Sequence, residues 1–361
     1  MEAIIATLII DALEGRHVSI SDIPGAYLHA LMPPEKNILL KLTDEFVDNM
    51  CDVNDEYIQY VRYEGKTKVL YVKVLRAIYG CLESAMLWYD LYSSTLQQMG
   101  FVLNPYDHCV ANKEINGSTC TIVFYVDDNK ISHKDPLVVR SVVETLKEYF
   151  GELSVTEGKS FDFLGMNIKI RDDKKIEIEM KDQIKEAITW LGESIDHIPK
   201  TPANRNIFSV DENSVPLGKE RSDTFHSVVA KLLYISKRGR PDIEVAVAFL
   251  CRRVSKSTEE DWLKLKRILG FLKGTIDDVR IIGAENLQDL YSWIDAAYGV
   301  HCDMRSHTGG AMSFVYGVLH HKSSVQKLKT KSSTEAEVVG TSEYLPYTIG
   351  SKIYGPTRLR N

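Results

Sequence analysis

The chain has 361 residues, enough for two or three domains each with a core of its own. A hydrophobic share of 44% and a charged share of 26% are those of an ordinary soluble globular protein and exclude a disordered or fibrous one. The net charge of −6 excludes a global attraction to nucleic acid, so any such binding must use local basic patches.

Along the chain, Ala3–Ile10 is apolar but too short to span a bilayer, and it lacks the basic flank of a signal peptide. Residues 1–14 are predicted to form a helix with Ile4, Ile5, Leu8 and Ile9 on a broad apolar face. Arg16–Asp22 alternates Val18, Ile20 and Asp22, the pattern of a strand that ends in a carboxylate. A second helix is expected over 83–99, rich in Trp88, Tyr89, Leu91, Tyr92 and Leu96, and a third over 136–150. Ile168–Ile170 and Ile176–Met180 flank the charged run 171–175, which predicts a β-hairpin. The polar stretch 195–222, with Pro199, Pro202 and Pro216, reads as a connector before helical patterns over 223–273. From Tyr291 onward strand-like runs precede a helix around Ser333–Leu345. Six scattered cysteines (Cys51, Cys81, Cys109, Cys120, Cys251 and Cys302) form no Cys-x-x-Cys pair, which speaks against structural zinc and for a reducing compartment.

Tyr125-Val126-Asp127-Asp128 carries the chemistry. It joins two β-type runs through adjacent aspartates, and a hairpin there would project both carboxylates from one tip. Like charges so close repel, so a divalent cation would favour the arrangement. Paired oxygen ligands with room for phosphates are what two-metal phosphoryl transfer requires. A solvated turn explains most Asp-Asp pairs. Here four apolar or aromatic residues lead into the pair, which argues against an ordinary surface turn.

With the strand end at Asp22, these residues give the plan of a polymerase palm, and the chain resembles copia-type retrotransposon reverse transcriptases. Asp22-Ile23-Pro24-Gly25-Ala26-Tyr27-Leu28 is similar to the stretch holding that family's first catalytic aspartate. The resemblance implies catalytic, metal-binding roles for Asp22, Asp127 and Asp128, with two Mg²⁺ or Mn²⁺ ions as cofactors. It makes Tyr27 the aromatic gate against a ribose 2′-hydroxyl, where residue type alone suggests a buried core aromatic. Ile78-Tyr79-Gly80 through Trp88-Tyr89 is similar to a family block lining the nucleotide, with Tyr79 and Gly80 as nucleotide contacts. Leu82, Glu83 and Ala85 replace its Lys-Gln and Pro, and Trp88 and Tyr89 suit a core better than a base contact. Phe163-Leu164-Gly165-Met166 is similar to the family segment that holds the primer end. Lys231–Tyr234, Arg240–Ile243 and Trp262–Thr275 resemble its thumb and connection. There Lys264, Lys266, Arg267 and Lys273 are candidates for touching a phosphate backbone, a solvated helix face being the other reading.

Near the C-terminus, Tyr291–Ala297, Arg305–Gly310 and Ser332–Glu337 resemble segments of a ribonuclease H domain, which implies Asp295 and Glu337 as metal ligands. Glu335 suits the positive end of a helix dipole, with Ser333 as its cap.

The expected architecture is α+β: a palm over 1–195, thumb and connection helices over 196–285, and a partial ribonuclease H-like domain over 286–361. Only 21 residues precede Asp22, with Arg16 their sole cation, so the fingers are expected to be largely missing. Their charge-assisted contacts to a triphosphate would be worth roughly 1.5–3 kcal/mol each. No aspartate follows Glu337, and the tail 350–361 departs from the family pattern. The function implied is RNA-directed DNA synthesis on an RNA or DNA template with primer and deoxynucleoside triphosphates. The alternative is an inactive remnant that folds and binds nucleic acid weakly. Neighbouring polyprotein parts (integrase and protease), cytoplasmic particles with later delivery of DNA to the nucleus, and no membrane association complete what the resemblance implies.

Overall fold

Local sequence signals set the principal elements of the structure, a computed structural model that describes residues 2–351, with side chains through residue 349. Most of the tail noted above, 352–361, lies outside the described residues. α1 (Glu2–Glu14) leads into β1 (His17–Asp22) and a single helical turn, α2 (Ala26–His29). A small sheet then forms from β2 (Leu39–Thr43), β3 (Arg62–Glu64) and β4 (Thr67–Lys73), with α3 (Glu45–Val53) between its strands. α4 (Ser84–Gln98) precedes β5 (Val102–Leu103), β6 (Val110–Ile115), β7 (Ser118–Tyr125) and β8 (Asp128–His133). Asp135 accepts from the Leu137 amide and Pro136 supplies a pre-set first turn, so α5 (Pro136–Phe150) starts there; Gly151, at φ 83°, ends it.

β9 (Ser154–Glu157), β10 (Ser160–Phe163), β11 (Met166–Ile170), β12 (Ile176–Glu179) and α6 (Lys181–Trp190) follow. The connector is irregular up to α7 (Lys219–Arg238), which begins inside the stretch expected to be polar linker. α8 (Glu244–Cys251) and α9 (Glu259–Gly274) come next, the latter opened by a reciprocal cap between Thr258 and Asp261. The chain then runs through β13 (Arg280–Ala284), β14 (Tyr291–Ala297), β15 (His307–Ser313), β16 (Val315–Tyr316), β17 (His320–Val325) and α10 (Ser333–Ser351). The architecture is a mixed α/β one with several sheets.

The main sheet has the order β5-β6-β7-β8-β1-β9, so the first strand of the chain lies inside it. A second sheet runs β10-β11-β12-β13-β16, and a third β14-β15-β17. Two apolar cores flank the main sheet. One joins Val18, Ile20 and Val123 to α1 and continues through Ile168, Ile178, Leu232 and Leu269, crossing residues 195 and 285 without interruption. The other packs Trp88 and Tyr92 of α4 and Val139 and Leu146 of α5 under Ile122, Phe124 and Ile131.

α10 corrects one detail of the sequence reading. Ser332, not Ser333, is its cap: the Ser332 hydroxyl accepts from the Glu335 amide at 3.1 Å. The Glu335 carboxylate reaches back to the Lys331 amide at 2.6 Å. Adjacent serines make such a register ambiguous from sequence.

Candidate active site

β7 and β8 turn at Val126-Asp127, and the turn is fixed from below. Val126 has φ 57°, a conformation that crowds a β-branched residue. Its carbonyl accepts from Trp88 Nε1 at 2.7 Å. The Asp127 carbonyl accepts from the Ile23 amide and from Asn129 Nδ2, both at 3.0 Å. Tyr92 in turn donates to Asn129 Oδ1 at 2.5 Å. α4 therefore anchors the tip through a buried hydrogen-bond chain, and that anchoring tolerates the strained dihedral.

Asp22 and Asp128 are direct cross-strand partners in the pairing of β1 with β8, and Tyr125 stands opposite Asp128 in the hairpin. Directly opposite residues project from the same sheet face. The row Tyr125, Asp128, Asp22 thus shares its face with Val123, Lys130 and Ile20, one register step back. Burial, then the charge of Asp127, pushes the Asp22 carboxyl above the usual range. Burial, then Asp127 and Asp22, does the same to Asp128. The charged groups that act on these two are carboxylates, with no cation among the described residues offsetting them.

Tyr79 lies beside the same cluster. Burial, then Asp127, Tyr27 and Asp22, raises its hydroxyl pKa. The Tyr27 and Tyr79 rings sit 4.6 Å apart at 47°, a tilted pair that walls one side of the carboxylates. Tyr27 is half-buried and Tyr79 largely exposed, so Tyr27 is not the sealed core aromatic that residue type suggests. Gly80, at φ 95°, carries the chain away from Tyr79 in a conformation costly for other residues.

As placed, no three His, Cys, Asp or Glu side chains among the described residues close around a common point. The donor chemistry at Asp22, Asp127 and Asp128 nonetheless suits a hard divalent cation: three carboxyl groups, with no cation among the described residues acting on Asp22 or Asp128.

The segment expected to hold a primer presents little side chain to solvent. Phe163 and Met166 are buried at 1% and 0% exposure, so only the Leu164-Gly165 turn between them is accessible. The four cations on α9 are committed within the chain. Lys264 donates to the Ser209 carbonyl at 2.6 Å, Lys266 pairs with Glu193 at 3.0 Å, Arg267 reaches Thr201 at 2.9 Å and Lys273 the Ile195 carbonyl at 2.8 Å. They staple the connector and Glu193 just before it to α9, a use that neither of the two sequence readings included.

At the C-terminal sheet, Asp295 lies on β14 and Glu337 on α10, both exposed. Glu337 Oε1 accepts from the Ala296 amide at 3.3 Å, which brings it next to Asp295. Asp303, in the loop after β14, pairs with Arg252 and Arg305 at 3.4 and 3.6 Å.

No family model matches the chain. Over 325 residues it is 26% identical to a protein of transposon Ty5-1 from Saccharomyces cerevisiae, covering 89% of this chain and 98% of that one. Over 284 residues it is 26% identical to the retrovirus-related Pol polyprotein from transposon TNT 1-94 of Nicotiana tabacum. The chain is a relative of retrotransposon Pol polyproteins. The match covers 76% of this chain but only 21% of the tobacco polyprotein. Among solved structures, prototype foamy virus protease-reverse transcriptase overlaps 93% of this chain and 37% of its own at 13% identity, with a TM-score of 0.26, too slight a likeness to bear on the fold.

For this Pol relative, the structure sets Asp22, Asp127 and Asp128 near one another, with Tyr27 and Tyr79 beside them. Sequence reasoning missed Trp88 and Asn129 as supports of the turn, and Tyr234 and Arg238 beside the Leu164-Gly165 turn. An asparagine immediately after an Asp-Asp pair was the one available hint, because its side chain can return to the turn backbone.

Proposed function

We propose that the chain carries the nucleotidyl-transfer site of an RNA-directed DNA polymerase from a copia-type retrotransposon. The observation that supports this most is the cross-strand pair Asp22 and Asp128 beside Asp127 at an anchored hairpin tip. The main sheet with α4 and α5 is read as the palm, α7–α9 as thumb and connection, and β14-β15-β17 with α10 as a partial ribonuclease H-like unit in which Asp295 and Glu337 are metal ligands. Asp22, Asp127 and Asp128 would hold Mg²⁺ or Mn²⁺. When bound, two such ions offset the carboxylate repulsion and stabilise charge on the attacking and leaving oxygens of an in-line displacement.

The protein's own contribution is preorganisation. Trp88, Asn129 and Ile23 fix the backbone that carries Asp127, so the carboxylates need not reorganise as charge develops. Tyr27 and Tyr79 offer a ring surface against which a deoxyribose packs, and the crowding at Tyr27 disfavours a 2′-hydroxyl. Template with primer and deoxynucleoside triphosphates are the substrates. The setting is a polyprotein with integrase and protease, working in cytoplasmic particles.

Primer extension on poly(rA)–oligo(dT) with Mg²⁺ or Mn²⁺ tests this, run beside Asp127→Asn. Incorporation by the unaltered chain alone supports the proposal. Equal silence from two folded proteins selects the second reading, a non-catalytic remnant, which the internal commitment of the α9 cations favours.

A further inference from the structure

The turn between β10 and β11 is held from outside. Leu164 and Gly165 both have positive φ, 50° and 68°, an arrangement that suits tight hairpins but strains a leucine. The Tyr234 hydroxyl donates to the Leu164 carbonyl at 2.6 Å, and Arg238 Nε donates to the same oxygen at 3.3 Å. A Cβ at Gly165 would lie 2.1 Å from that hydroxyl, so the approach requires glycine. The Arg238 guanidinium stacks 3.6 Å from the Tyr234 ring centroid.

This geometry occupies Nε and leaves both Nη groups without a protein partner among the described residues, and neither is a buried orphan. The groups that act on Arg238 are burial, Tyr234 and Tyr125, with no carboxylate among them. Tyr125 stands opposite Asp128, which stands opposite Asp22. Adjacent strands are about 4.8 Å apart, so Tyr125, the member of that row which acts on Arg238, lies one strand from Asp128 and two from Asp22. A half-buried arginine without a counter-ion is costly unless something anionic completes it. Phe163 and Met166 are sealed in the core, and beside the Tyr234 hydroxyl and the Gln183 amide the Arg238 fork is the cation hydrogen-bonded to the turn among the described residues.

We propose that Arg238 is a phosphate-binding residue, its two Nη groups receiving a backbone phosphodiester of the strand whose end is presented to Asp22, Asp127 and Asp128. The inference rests on the polymerase reading above. The planar fork matches two phosphate oxygens at once, and stacking on Tyr234 pre-orients it.

The test is binding of a fluorescein-labelled DNA primer on an RNA template, in EDTA and without nucleotide, across a salt series. Arg238→Gln should weaken binding roughly tenfold and make the log–log salt slope shallower by about 0.9, the signature of one lost phosphate contact. Arg238→Lys should keep the slope. Tyr234→Phe, which loosens the turn but retains the guanidinium, should also keep it. A wild-type slope in Arg238→Gln, or an equal loss in Tyr234→Phe, overturns the proposal while leaving the polymerase reading intact. So does loss of tripolyphosphate competition with the duplex slope unchanged, which would assign the phosphate to the nucleotide. A folded wild type that binds no duplex overturns both.

Discussion

Trp88 Nε1 donates to the carbonyl of Val126 at 2.7 Å, tying α4 to a β-branched residue held at positive φ. Trp88→Phe keeps an aromatic ring for the stack on Tyr92 but leaves that carbonyl unpaired. The expected loss is about 1–3 kcal/mol in urea unfolding, with reduced primer extension from a tip that no longer holds its shape. Full activity in this variant would show that the turn is self-supporting.

Asp22 and Asp128 face each other with carboxyls raised by burial and then by Asp127. A carboxyl raised in the folded state takes up its proton earlier as pH falls. Repulsion is therefore fully present above the raised value and relieved below it. At neutral pH, Asp128→Asn should stabilise the metal-free protein by a few tenths to about 1 kcal/mol, or roughly 1–3 °C in Tm. Millimolar Mg²⁺ should raise the Tm of the wild type more than that of the variant, and calorimetry with and without EDTA reads both. A larger Mg²⁺ response in Asp128→Asn would contradict the metal assignment.

A directed chain of hydrogen bonds docks the C-terminal sheet onto α8. Arg252 can only donate, so its contact at 3.0 Å makes His301 Nδ1 the acceptor. His301 Nε2 then donates to His307 Nδ1 at 3.0 Å, and His307 Nε2 to Ser323 at 2.6 Å. Both rings must be neutral. Burial, then His301 and Arg252, brings His307 down to about 4. Between that value and the ordinary 6.5 the unfolded chain binds a proton that the folded one refuses. This contribution, at most about 3 kcal/mol, is present above pH ~6.5 and fades as pH falls toward ~4. Unfolding at pH 7 and pH 5 should show the drop, and His307→Gln should flatten it.

Lys130 is wholly buried against Asp11, two positions along β8 from Asp128 and on the same face. Lys130→Met leaves the buried Asp11 charge with only its longer contact to Arg16, at 3.9 Å, and should cost about 3–5 kcal/mol by urea unfolding. Asp11→Leu combined with Lys130→Met should recover most of that. A double variant as unstable as the single one would mean that the pair stabilises through more than mutual neutralisation.

Local chemistry made several elements legible. Asp135-Pro136 and Gly151 mark both ends of α5, and the alternation at Val18, Ile20 and Asp22 marks β1. The small sheet β2-β4-β3 escaped notice because its strands are largely exposed and carry no clear alternation of apolar and polar residues. Trp88 was legible as a core residue, and at 2% exposure it is one. Its hydrogen bond to a residue 38 positions away was not, because local periodicity carries nothing about long-range partners. The same holds for Arg238 and Leu164, 74 positions apart. The α9 cations looked free only because their partners lie in a connector with no regular structure of its own.

The place of β1 inside the main sheet sets a timetable for synthesis. His17 pairs with His133 and Asp22 with Ser154, so both flanks of the strand are supplied by chain made more than a hundred residues later. At about 5–20 residues per second, the strand and the apolar helix before it wait on the order of 5–20 s after emerging. Through that interval Ile4, Ile5, Leu8 and Ile9 have no sheet to pack on, an exposed segment of the kind that chaperones engage. Asp22, the first of the three site aspartates to be translated, thus waits for both of its neighbouring strands.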